Sequence, residues 1–98
     1  MNREEIRQSL EKRINELKED FQKHAELVEP ILEGMIRGDK VNVFDIDRVI
    51  DLHIKSGEYI IAARLYASCF GNKAMMEQIA KVEEIAQKRY DDIVKLIS

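Results

Sequence analysis

Few residues in this chain have the type and spacing that chemistry demands. His24 follows Asp20 by one helical turn and Glu16 by two, so a helix would put all three on one face. Three such donors can hold a divalent metal. Helical sites of that kind draw ligands from two helices, often with Glu-x-x-His pairs, and that motif is absent. His24 therefore reads as a polar residue fixing register on a helical seam, and no metal is expected. His53 stands two residues after Asp51, which places the pair on different faces, so it reads as a satisfied boundary histidine. Neither histidine has a nucleophile near it in sequence. Cys69 lies in apolar sequence with no cation to lower its pKa and reads as an inert buried thiol. GMIRGDK, residues 34–40, has two glycines and a lysine but neither the spacing nor the preceding strand of a phosphate loop. With no catalytic set, the chain reads as a non-enzyme that needs no cofactor.

Arg64 is the charge that stands out. It interrupts EYIIAARLYASCF, where apolar residues surround the helix, and a helix apolar on all sides is expected to be buried on all sides. A buried guanidinium needs a carboxylate or several carbonyls. Arg64 is thus expected to pair with an acid from another helix, or else to anchor an anionic ligand or an acidic partner.

Positioning these residues falls to helices. No strand-like alternation or hairpin turn is present, and the spacing predicts an all-α single domain over 1–98, a small bundle of four helices. The first helix covers about 3–37 with a kink near Pro30. Its Leu10, Ile14, Leu17, Phe21, Val28, Ile31 and Met35 alternate steps of three and four, with His24 filling the gap, which is a coiled-coil-like heptad seam. A second helix is expected over 43–55, capped by Asn42 and stopped at Ser56-Gly57. A third is expected over 58–70, stopped at Gly71, and a fourth over 73–97, capped by Asn72.

Composition removes several classes. The chain has 98 residues, 45% of them hydrophobic, which is too apolar for disorder. One cysteine excludes an internal disulfide scaffold. No apolar run is long enough for a membrane span and the start is no signal peptide, so a cytoplasmic protein is expected. A net charge of −3 with no basic stripe argues against nucleic acid. Small all-helical chorismate mutases are similar in length only, because Arg7, Arg13 and Lys18 do not fall on one inward stripe.

Gly57, Tyr59, Ala62, Tyr66 and Cys69 match in spacing the second helix of a tetratricopeptide repeat, with Cys in place of the usual Ala. Residues 43–69 thus resemble a single hairpin of that family, although Ile46, Ile50 and His53 hold the Trp-like, Gly and Tyr positions of its first helix. The resemblance implies a packed helical hairpin and a peptide-binding role.

Length supplies the last expectation. The residues ahead of Pro30 would span roughly 42 Å as a helix, while a compact body of this size is about 33 Å across. The first helix would outrun its cover, so Leu10, Ile14, Leu17, Phe21 and Val28 are expected to mediate self-association, most simply as a homodimer. The chain is thus read as a protein–protein interaction module (adaptor, dedicated chaperone or inhibitor). It would bind itself and an unidentified partner protein or peptide, with Tyr59, Arg64 and Tyr66 as partner-site residues. The alternative is a binder of a small anionic ligand, such as a nucleotide, at a subunit interface through Arg64, Lys40 and Tyr66.

Overall fold

A computed structural model describes residues 2–98. The described residues are all-helical, with three helices: α1 (Arg3–Ile36), α2 (Val43–Phe70) and α3 (Lys73–Ile97). The four-helix count is corrected, because the expected helices over 43–55 and 58–70 are one continuous helix. Ser56 does not stop it: its hydroxyl donates to the Leu52 carbonyl one turn back, at 2.9 Å, inside the core. Gly57 has helical neighbours on both sides and is simply tolerated. Residues 43–69 therefore form a single rod in place of the expected hairpin.

The helix ends follow capping chemistry. Asn42 and Asp45 form a reciprocal capping box at the start of α2, and the Asn72 side chain accepts from the Met75 N–H at the start of α3. α1 ends in a Schellman motif: Gly38 takes φ +89°, its N–H donates to Met35, and the Asp39 N–H donates to Gly34. Gly34 is buried beneath that turn, and a Cβ there would meet the Asp39 carboxylate at 3.0 Å. Asp39 also receives Arg37 Nη2 at 2.9 Å, so the Arg-Gly-Asp stretch is spent on closing the helix. α1 continues through Pro30 without a break in its helical residues. Pro30 lies on the solvent side, where water can satisfy the Glu26 carbonyl that loses its N–H partner.

The molecule is a rod, with extents of 52 × 21 × 17 Å. Its length is that of α1, about 51 Å at 1.5 Å per residue. α2 is long enough, at about 42 Å, to cover most of α1. The seam of α1 is accordingly buried in its own chain. Ile14, Leu17, Tyr59, Ala63, Tyr66, Ala67 and Ile79 form one core cluster, with Leu10 and Phe21 packed against it. Val28, Leu32, Met35, Val49 and Leu52 form a second. Phe21 touches both and stacks on Tyr59 with ring centroids 5.4 Å apart. α2 is the central element. It packs on α1 along one side and on α3 along another, while α1 and α3 touch only lightly. No described helix is long and apolar enough to cross a membrane.

Candidate interaction surface

The five residues expected to associate are not a free surface. Ile14, Leu17 and Val28 are buried, and Leu10 and Phe21 are part-buried against the same core. The expected overhang of α1 rested on a compact body about 33 Å across, and the 52 Å rod, with the single long α2 along α1, removes that premise.

The three expected partner-site residues separate as well. Tyr59 is 2% exposed and belongs to the core. Tyr66 is buried, and its hydroxyl donates to the Glu11 carboxylate of α1, which raises the tyrosine pKa. Arg64 is not the buried guanidinium expected: its side chain is half-exposed and forms an ion pair with Glu83 of α3. It is an inter-helix tie at the surface. Lys40 lies in the loop before α2, roughly 30 Å along the rod from Arg64. Within one chain Arg64 and Lys40 therefore share no anion site. Cys69 is exposed, not buried.

Further ties that the sequence does not signal hold the helices in place. Arg3 donates to the Cys69 carbonyl at 2.9 Å and lies over the Phe70 ring, placing a cation at the negative end of α2. Lys55 of α2 reaches Asp20 of α1 at 3.0 Å; the bond lowers the Asp20 pKa and raises that of Lys55. Arg89 of α3 donates through Nε to Glu29 of α1 at 2.8 Å and through Nη2 to the same oxygen. His24 bonds back to the Asp20 carbonyl at 3.0 Å. No three His, Cys, Asp or Glu side chains among the described residues come together as metal donors.

What the packing leaves open is apolar. Val43, Ile50, Ile54, Ile61 and Leu65 are each about half or more exposed, with Val43 and Ile61 at 71%. Helical periodicity places all five, with Gly57, on the face of α2 turned away from both neighbours. Five such side chains present on the order of 500 Å², which lies within the range of about 300–600 Å² for a monomer's largest apolar patch, a patch that is often functional. Beside this stripe, between α2 and α3, lies a cavity of about 170 Å³ lined by Met35, Ile46, Val49, Ile50, His53, Tyr90 and Ile93. His53 Nε2 is buried there without a hydrogen-bond partner, contrary to the satisfied histidine expected. Burial, and then the charge of Arg89, hold its pKa below the usual histidine value.

A second open surface is the groove between α1 and α3. It contains a cavity of about 380 Å³ bordered by Leu32, Ile36, Ile85 and Leu96, with the Arg89–Glu29 pair at its centre. A second cavity continues it toward Phe21, Ala25 and Val82. Three helices with α2 in the middle thus leave an apolar face on α2 and a mixed groove between α1 and α3, where Glu29, Glu33, Lys88, Arg89 and Asp92 stand among the apolar residues.

Compared with known proteins, the chain matches no family model, no curated protein and no solved structure.

Proposed function

We propose that the protein is a non-enzymatic interaction module, an adaptor, dedicated chaperone or inhibitor that pairs with itself and docks a partner. The observation that carries this reading is the exposed apolar stripe of Val43, Ile50, Ile54, Ile61 and Leu65 along the outer side of α2. Such a stripe at helical spacing fits a partner helix or peptide laid alongside. Self-association falls to the groove between α1 and α3, where Ile36, Ile85 and Leu96 are exposed. A second copy there would supply the helix that a four-helix arrangement lacks. The surface chemistry supporting the reading is packing chemistry, not bond-making chemistry.

The test uses exposed residues, because Leu17→Asp would unfold the core before reporting on any interface. Ile85→Asp is expected to reduce the sedimenting species to 11.5 kDa, while the parent chain at micromolar concentration sediments as a larger one. A parent chain that is monomeric throughout would remove self-association from the proposal.

A further inference from the structure

The edges of the α2 stripe are not alike. On one side stand Asp47, Asp51 and Glu58, at steps of four and seven that keep them in one row. Among the described residues, none of the three forms an ion pair. Lys55 is bonded to Asp20 on α1, although its charge still acts on Glu58 and then Asp51, and Glu58 shares a pocket with Arg13, Lys23 and Lys55. Arg48 lies further round the helix, toward α1. The opposite edge is internally neutral, since Arg64 there is paired with Glu83. The stripe is thus an apolar strip with one acidic border over its N-terminal two-thirds. The C-terminal end of the same border carries Ala62, Leu65 and Cys69 and no charge.

We infer that the outer face of α2 takes an amphipathic helix of another protein, whose apolar side is bordered along one edge by lysine or arginine. The argument is charge complementarity. Unpaired carboxylates bordering an apolar surface steer and orient a basic partner and reject an acidic one. A second copy of this chain is the poorer occupant. An antiparallel two-fold pairing of α2 with itself sets each acidic border against the same border of the other copy, with Asp51 facing Glu58. Because the acids occupy only one edge and one end, a bound helix has a single favoured direction. Gly57 lies at mid-stripe, with nothing within 4 Å of where a Cβ would stand, and lets the partner's backbone come close.

This inference rests on the interaction-module reading. The probes are two synthetic 21-residue amphipathic helices, identical on the apolar side, one carrying lysine and the other glutamate along the same edge. Fluorescence anisotropy at 50 mM NaCl is expected to show the lysine-edged helix binding at least about tenfold tighter, a preference that shrinks at 500 mM. Ile61→Asp, at a position 71% exposed in the free chain, is expected to abolish binding without changing the circular dichroism. Joint reversal of Asp47, Asp51 and Glu58 to lysine is expected to invert the preference. Equal binding of both helices would overturn the basic edge while leaving the docking face intact. Binding of neither would overturn the docking face as well. A dimer that Ile61→Asp dissociates would assign the face to a second copy and overturn the inference.

Discussion

Gly57→Ala tests the central claim about the fold, that α2 is one rod. Gly57 sits inside the helix, its φ is not positive, and an added Cβ meets nothing within 4 Å. The substitution therefore introduces no clash and only restricts the unfolded chain and improves helix propensity. Alanine is favoured over glycine in a helix interior by about 0.8–1 kcal/mol. For 98 residues the unfolding entropy is about 0.2 kcal/mol per degree, so the midpoint should rise by about 4–5 °C. The assay is thermal unfolding followed at 222 nm, at fixed protein concentration so that association does not move the midpoint. A glycine that ended a helix in a left-handed turn would give the opposite sign, because alanine there is strained. An unchanged or lowered midpoint would refute the continuous helix. The same variant should weaken the lysine-edged probe, because the methyl group stands where the partner's backbone approaches.

Two more predictions concern the core. Leu52 is 1% exposed in the second core cluster, so Leu52→Ala should lower stability by about 2–5 kcal/mol, read from the urea midpoint. His53 is held neutral by burial. Between its lowered native pKa and the ordinary value near 6.5 the unfolded chain binds more protons, so stability falls as pH drops through that window and levels off below it. His53→Phe should flatten the slope between pH 7 and 5, and an unaltered slope would clear His53 of that role.

Much of the architecture is legible from the residues. The heptad seam of α1 becomes the core because steps of three and four put Ile14, Leu17, Phe21 and Val28 on one line whatever they meet. Asn42, Gly71 and Asn72 mark helix ends because capping is local chemistry. Ser56-Gly57 misleads for the complementary reason. Locally it is turn chemistry, but the inward line Leu52, Ser56, Tyr59, Ala63 and Tyr66 runs straight through it, and packing against α1 outweighs propensity. The overhang misleads separately. A compact body about 33 Å across implies a projecting α1, whereas one long α2 makes a rod that covers the seam. Arg64 misleads because apolar residues all round a helix need not mean burial all round. Three helices can cover only part of α2, and the rest of its apolar surface stays in water beside the guanidinium. The acidic row is present in the sequence, but that Lys55 makes its ion pair with Asp20 and not with this row becomes visible only in the structure.

The lopsided sharing of the core also has a kinetic side. α3 buries Ile79 alone, whereas α1 and α2 bury six and seven residues. The pair α1–α2 therefore closes on itself like a zipper, and α3 hangs from it by one deep side chain and the Arg89–Glu29 and Arg64–Glu83 latches. Detachment of α3 is expected to cost less than separation of α1 from α2. Such an opening would expose His53 and the side of α2 that borders the stripe. α2 is thus held firmly by α1 on one flank and more loosely by α3 on the other, and raised salt is expected to weaken the two ion pairs that hold α3.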